Sequence, residues 1–157
     1  MAELFERNDV RETPLQTEVT VEKAVSTAQQ DITLANSWTD VTGATVTFTL
    51  TEKKTAVILA SALGTFETAV KRHGIELRAN IDTVSKTNST RSTLNHLTGA
   101  SDVETSAGQE ISISTQFVQD LSAGEHTIKL EAKGFLDEIT YAVRLPSGKT
   151  ALTVILL

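Results

Sequence analysis

The sequence contains no cysteine, so neither a disulfide bond nor a thiolate-ligated metal can stabilise the fold. Long apolar runs are also missing, because the longest, Ala56–Ala60, is far too short to cross a membrane as a helix. The first residues, Met1–Asp9, are charged and lack the apolar segment of a signal peptide. We therefore expect a soluble protein that is synthesised in the cytoplasm and has no membrane partner.

Positive charge is scarce as well. The chain has 14 Lys and Arg against 20 Asp and Glu, which gives a net charge of -6. Proteins that bind nucleic acid or anionic lipid present a basic surface, and no basic cluster stands out in this sequence. We therefore expect no nucleic acid among its partners.

Alternating strands with turn residues between them fill the last third of the chain. Apolar and polar residues alternate in Gln109–Val118, Glu125–Lys133 and Ile139–Leu145, and a final apolar strand covers Thr150–Leu157. An exposed edge as apolar as Val154–Leu157 would invite aggregation, so this last strand is predicted to lie inside a sheet. The pattern is typical of an all-β, antiparallel β-sandwich.

Earlier segments continue the same pattern. Strands are predicted at Thr17–Val25 with its valines facing inward, at Asp31–Leu34, at Gly43–Thr51 and at Ile75–Thr83. Thr55–Leu63 differs because it is apolar on both faces, as in strands that are covered on both sides. A sandwich covers one face of each sheet, so the second face of this strand predicts contact with another subunit.

Three segments break the alternation. Residues 1–16 are a charged N-terminal arm, which is separate from the sandwich domain at 17–157. Its apolar pair, Leu4 and Phe5, flanked by Arg7 and Arg11, is a candidate for binding a partner. Gly64–Gly74 fits either a short helical turn or a loop, and Val84–Ala107 is predicted to be a long polar loop.

Residues with catalytic or metal-binding chemistry are few. His73, His96 and His126 are the three histidines, and none has a partner at the spacing of a metal site or a catalytic triad. His126 lies in an alternating strand, which favours a structural role. No nucleotide-binding, metalloprotease or serine-hydrolase motif occurs, so we predict a protein that is not an enzyme and has no cofactor or metal.

A ligand-contact surface remains possible from the sequence. Trp38 could stack on a sugar or could anchor a strand, and the polar loop adds Arg91, His96 and Asp102 as possible contacts. The acidic pairs Asp102/Glu104 and Asp137/Glu138 could each bind a cation, although loop carboxylates are usually only solvated.

Two motifs give a family resemblance. The segment Leu121–Leu130, LSAGEHTIKL, together with the apolar C-terminal strand, resembles a pattern in bacteriophage virion proteins, and so does Asn36–Val41 leading into the Thr-rich strand. The resemblance covers about Thr33–Leu157. It implies a jelly roll of the tumour-necrosis-factor/C1q type with about 8–10 strands, usually trimeric, as in capsid decoration proteins and head-fibre domains.

The function that this resemblance implies is structural. The leading prediction is a homotrimeric capsid decoration protein on the virion surface, bound to the major capsid protein or another virion protein through the arm. The alternative is a receptor- or carbohydrate-binding module at a fibre or tail tip. A polysaccharide depolymerase is a distant third, because no convincing carboxylate pair is present.

Overall fold

The computed structural model describes residues 19–33, 37–66, 72–85, 90–95, 110–135 and 142–157. Within these ranges the chain forms eleven β-strands and no helix. The strands are β1 (Thr20–Val25), β2 (Gln30–Thr33), β3 (Thr39–Leu50), β4 (Lys54–Phe66), β5 (Arg72–Ile81), β6 (Val84–Ser85), β7 (Thr90–Asn95), β8 (Glu110–Leu121), β9 (Gly124–Phe135), β10 (Ala142–Leu145) and β11 (Thr150–Leu156).

The strands form two antiparallel sheets. In sheet A the order is β1-β11-β4-β8, and β10 and β2 continue the sheet from the far end of β4. In sheet B the order is β3-β9-β5-β7, and the short β6 pairs with the end of β5. Numbering the eight longest strands along the chain gives 1-8-3-6 in sheet A and 2-7-4-5 in sheet B. This is the connectivity of a jelly roll, and it confirms the predicted fold class.

The core lies between the sheets and is built from alternate residues of each strand. In β9 these are His126, Ile128, Leu130 and Ala132, which the sequence pattern predicted to share a face. In β5 they are Ile75, Leu77, Ala79 and Ile81. The strand β11 pairs with β1 on one side and with β4 on the other. The prediction that the last strand lies inside a sheet is therefore confirmed.

The inward orientation predicted for the β1 valines is wrong. Val21 and Val25 point away from the core and are each 47% exposed, and Val19 just before the strand is 51% exposed. Alternation defines two faces but does not say which one meets the core. Here the inward position is taken by Ala24, which packs against the core, and the valines join the outer face of sheet A.

The predicted polar loop at Val84–Ala107 contains strands. Backbone pairing places β6 and β7 beside β5, with Arg91 opposite Glu76. β7 reads TRSTLN, which has almost no apolar alternation, so its position depends on its partner strand. The rest of that segment lies outside the described residues. For Gly64–Gly74, β4 continues to Phe66 and β5 starts at Arg72, while residues 67–71 also lie outside them.

A β-bulge shapes the start of β3. The register against β9 shifts between Asp40 and Thr45, and Gly43 within this stretch has a φ of 84°. A Cβ at Gly43 would lie 2.7 Å from the backbone nitrogen of Thr27, so only glycine fits there. The side-chain amide of Gln30 donates to the Asp40 carbonyl and accepts from the Thr42 N–H, both at 2.9 Å. Regular pairing between β3 and β9 therefore begins at Thr45.

Candidate functional site

The outer face of sheet A carries apolar side chains on all four of its long strands. The register aligns Val21, Ile155, Val57 and Val118 in one row. The next row contains Lys23, Thr153, Leu59 and Gln116, and the third contains Val25, Ala151, Ser61 and Ser114. Facing cross-strand neighbours lie within about 5.5 Å of each other, so these side chains form one continuous surface.

The exposed large apolar side chains of the described residues all lie on this face. They are Val19, Val21, Val25, Leu59, Val118 and Leu157. Leu157 belongs here because Leu156 before it is buried and because its backbone pairs with Thr55 of β4. A scattered exposed apolar residue is ordinary, whereas a contiguous group marks an interaction surface.

A groove runs across the middle of the face. It has a volume of about 490 Å³ and is lined by the Leu59, Ser61, Ser114, Gln116, Ala151 and Thr153 side chains. Four strands at a spacing of ~4.8 Å and the length of strand from Thr55 to Leu63 give the whole face an area of roughly 500 Å². Apolar side chains fill the first row completely and the other two rows in part.

The outer face of sheet B carries ion pairs instead. Arg78 of β5 forms an ion pair with Glu131 of β9, and the second oxygen of Glu131 accepts from the Asn80 amide at 3.1 Å. Lys133 Nζ lies 3.0 Å from a Glu76 oxygen. Glu76 is on the outer face, yet it is only 3% exposed.

Trp38 packs over these ion pairs. The Arg78 guanidinium carbon lies 4.2 Å from the centre of a Trp38 ring, and Lys133 Nζ lies 4.9 Å from it. Cations at these distances are attracted to the ring face. Of the two roles that the sequence left open for Trp38, this geometry favours the anchor, because the ring is already engaged by side chains of its own chain.

His126 is held by both ring nitrogens. Nδ1 lies 2.6 Å from an Asp82 carboxylate oxygen, and Nε2 donates to the Ser122 carbonyl at 2.8 Å. A carbonyl can only accept, so Nε2 carries a proton, and the carboxylate favours a second proton on Nδ1. The Ser122 carbonyl and, next, Asp82 raise the pKa of His126 above its usual value.

The cluster around His126 also fixes a strained turn. Asp82 and Thr83 connect β5 to β6 with φ values of 51° and 71°, which are rare for residues other than glycine and an outlier for a β-branched threonine. The other Asp82 oxygen accepts from the Thr127 N–H at 2.8 Å. Asp82 therefore ties the turn to β9 through two residues, and His126 has no nitrogen left to act as a base.

The remaining predicted site residues fall in different places. Leu4, Phe5, Arg7, Arg11, His96 and Asp102 lie outside the described residues, and for Arg91 only the backbone pairing of β7 is described. Sequence reasoning did not find the Arg78–Glu131 pair or the Asp82–His126 contact. Their residues are 53 and 44 positions apart, and only sheet pairing brings them together.

The described part of the chain contains neither a metal-binding cluster nor a membrane-spanning helix. No three His, Asp or Glu side chains lie close enough together there to hold a metal ion. Likewise, none of its elements is a helix with the length and apolar character needed to cross a membrane. The acidic pairs Asp102/Glu104 and Asp137/Glu138 lie outside these ranges.

Comparison with known proteins identifies the fold and not the family. No protein-family model matches the sequence, and no curated protein matches it either. Among solved structures, the Eiger TNF of S. frugiperda aligns over 88% of this chain and 92% of its own, with 6% identity and a TM-score of 0.51.

Two further solved structures are similar at lower scores. Murine APRIL aligns over 89% of this chain and all of its own, with 12% identity and a TM-score of 0.46. The VP2 subviral particle of infectious bursal disease virus aligns over 88% of this chain and 33% of its own, with 11% identity and a TM-score of 0.49. Together with the strand order, the Eiger alignment shows that this chain has a jelly roll of the tumour-necrosis-factor type.

Proposed function

We propose that this chain is a non-enzymatic structural protein of a virus particle, a homotrimeric decoration protein bound to the outside of a phage capsid. The observation that carries the proposal is the apolar outer face of sheet A. The face spans four strands and includes the long central strand β4, so it cannot be a local irregularity. A rigid sandwich with one adhesive face is suited to assembly and offers no reaction chemistry by itself.

The physical argument for self-association starts from the cost of exposing this face. Each square ångström of apolar surface removed from water contributes about 25 cal/mol. Val118 and Leu59 are 65% and 37% exposed, and together with the β1 valines they would gain from being covered. Among the groups in the three rows, only Lys23 carries a charge, so a second copy can approach with little desolvation of charge.

The enzyme alternative finds no support at His126, which is buried. General-base catalysis needs a nitrogen that can take a proton from a substrate. Both ring nitrogens of His126 are bound to acceptors of the same chain. The Phe48 ring lies beside the imidazole, with the two ring centres 5.9 Å apart. The geometry supports a structural role for this residue.

Self-association is tested with one substitution on the face and one beside it. In dilute solution, light scattering after size exclusion should give the mass of a trimer. Leu59→Asp should reduce this mass to that of a single chain, because a charge in the groove would have to be buried without a partner. Thr127→Lys, on the outer face of sheet B, is the matched control and should leave a trimer. A monomeric wild-type protein would contradict the proposal.

Attachment to the particle is proposed to use the arm at residues 1–16, with the major capsid protein or another virion protein as the partner. Leu4 and Phe5 are an apolar pair too small to form a core but large enough to fill a groove on a partner, and Arg7 and Arg11 could pair with its carboxylates. Deleting residues 1–16 should abolish co-sedimentation with particles and leave the melting temperature nearly unchanged.

A double substitution separates the arm's side chains from its length. Leu4→Ala with Phe5→Ala should weaken co-sedimentation almost as much as the deletion does. Arg7→Lys, which keeps the charge, is the control. If the truncated chain fails to fold, the arm is part of the sandwich. If it binds particles normally, the arm is not the attachment element.

A carbohydrate- or receptor-binding module is the second candidate. One observation favours it: Arg91 pairs with Glu76 in the backbone register, and Lys133 joins Glu76 to Trp38, so two of the predicted contacts belong to one region of sheet B. A glycan array probed with the wild type and with Trp38→Ala tests this function. Glycan binding that is lost in Trp38→Ala and kept after deletion of residues 1–16 would support this candidate over the decoration protein.

A further inference from the structure

The strand β3 forms one edge of sheet B and pairs with β9 alone in the described part of the chain. On the side facing away from β9, the backbone groups of residues 44–50 make no hydrogen bond to another residue that the structure describes. An edge of this kind is a template for adding another strand.

The register shows which groups the edge offers. Thr127 of β9 uses both backbone groups toward β5, since its N–H donates to Asp82 Oδ1 and its carbonyl accepts from the Asp82 N–H. Thr47, opposite Thr127, is therefore in a non-hydrogen-bonded pair, and its own N–H and C=O point outward. Because this direction alternates along a strand, Thr45, Thr47 and Thr49 all present their backbone groups to the open side.

The β3 edge of sheet B differs in charge from the β1 edge of sheet A. The edge strand β1 carries Glu22 and Lys23, the kind of charged residues with which natural proteins block edge pairing. From Val41 to Thr51 the chain has neither a charged residue nor a proline. The side chains of Thr45, Thr47 and Thr49 are exposed and uncharged. Nothing in this stretch repels an incoming strand.

We propose that this edge pairs with the same edge of a second copy of the chain, antiparallel about a two-fold axis at Thr47. Thr47 then lies opposite Thr47 of the second copy, and Thr45 lies opposite its Thr49. Each of these is a hydrogen-bonded pair, so the contact contains about six backbone hydrogen bonds. The two copies of sheet B become one continuous sheet.

The strand sequence matches itself in this register. On the outer face threonine meets threonine, and on the inner face Val46 meets Phe48 and Ala44 meets Leu50. A two-fold contact uses the same patch on both copies, so a neutral strand meets no like charge opposite itself. The bulge at Gly43 and the turn after Leu50 end the regular edge on both sides. The contact is therefore short, weak and limited to two copies.

Cysteine crosslinking tests the register directly, because the natural chain has no cysteine. In Thr47→Cys the two α-carbons lie about 5.5 Å apart across the axis, within the span of a disulfide. We expect oxidation to give a disulfide-linked dimer of chains. Thr49→Cys is the control, because its α-carbons would be about 13 Å apart and should not react. An equal mixture of Thr45→Cys and Thr49→Cys should form the mixed dimer.

Sedimentation velocity over a range of concentrations tests the contact without crosslinking. The mass of the wild-type assembly should double at high concentration. Thr47→Pro, which removes the outward N–H and no backbone hydrogen bond to β9, should abolish the doubling. Thr47→Lys should do the same through charge repulsion, and Thr127→Lys on the neighbouring strand should not. Equal crosslinking of Thr47→Cys and Thr49→Cys, or a doubling that persists in both Thr47 variants, would overturn the proposal.

Discussion

The outer faces of the two sheets differ in how far side chains of the same chain cover them. In each sheet one face meets the core and the other does not. Sheet B covers its outer face with its own side chains, since Trp38 lies over Arg78 and Lys133, whose carboxylate partners Glu131 and Glu76 are buried. Sheet A leaves Val21, Leu59 and Val118 exposed. The polar face is complete within the chain, whereas the apolar face gains from a partner.

This difference can be followed along single strands. In β9, the outward positions Lys129, Glu131 and Lys133 each pair with a charge on a neighbouring strand. In β4, the outward positions Val57, Leu59 and Leu63 have uncharged neighbours in the strand register instead. The sandwich as a fold does not need the second pattern, which is why we connect it to assembly.

The largest expected effect separates the two sides of β4. Ile58→Asp places a charge in the core, where Ile58 is fully buried, and should unfold the protein, because an unpaired buried charge costs several kcal/mol against a total stability of about 5–15 kcal/mol. Leu59→Asp, one residue later, should leave a folded chain. Circular dichroism and denaturant titration measure both. A stable Ile58→Asp protein would show that this face of β4 is not core.

On sheet B, we expect the contribution of an ion pair to the free energy of unfolding to depend on its burial. Arg78→Ala leaves the Glu131 carboxylate buried without its cation and should lower the free energy of unfolding by about 2–4 kcal/mol. Lys129→Ala breaks the pair with Asp40, in which both side chains are about half exposed, and should cost about 0.2–1 kcal/mol. Denaturant titration at one pH gives the free energy of unfolding of both variants. Equal losses would show that the Arg78–Glu131 pair is no better shielded from water than the Lys129–Asp40 pair.

A smaller effect concerns the end of sheet B, where His126 holds the Asp82–Thr83 turn. Its acceptors raise the pKa of His126 in the folded protein above that of the unfolded chain. The stabilisation is therefore complete below about pH 6.5 and is lost as the pH rises through the folded-state pKa. The free energy of unfolding should therefore decline as the pH rises above about 6.5.

Asp82→Asn is the matched variant for this pH dependence. Asparagine tolerates the left-handed backbone of the turn, and its amide can donate to a neutral His126 Nδ1. The decline between neutral and alkaline pH should therefore become smaller, while the Ser122 carbonyl still raises the pKa of His126. Asp120→Asn is the control, since Lys53 and then Thr55 hold the pKa of Asp120 below its usual value, so it titrates only in acid. A decline of unchanged size in Asp82→Asn would assign it to another group.

Much of the fold was predictable because alternation is a local signal. β9 and β11 follow it residue by residue, and the apolar C-terminal strand is central as expected. The direction of β1 was not predictable, since valines on one face and polar residues on the other suit either a core or an interface. The strand β7 was missed because TRSTLN forms a strand only beside β5.

The candidate sites were less predictable because they depend on distant residues. Glu76 is an outward residue in a regular strand, and its burial depends on contacts across the sheet such as the one with Lys133. The apolar outer face of sheet A was partly foreseen from Thr55–Leu63 alone. Its extent was not, because the row from Val21 through Ile155 and Val57 to Val118 joins four strands that are separated in sequence.

The smallest expected effect on folding is also the sharpest test of the comparison. Val118 is the most exposed apolar residue of the face, so Val118→Lys should change the unfolding free energy of the dissociated chain by no more than about 0.5 kcal/mol. The same substitution puts a charge at the end of the apolar row and should shift dilute protein from trimer toward monomer. Thr127→Lys makes the equivalent change on the polar face and should alter neither quantity. If Val118→Lys and Thr127→Lys behave alike in both measurements, the two outer faces do not differ in function, and the apolar row is an ordinary solvent-exposed surface.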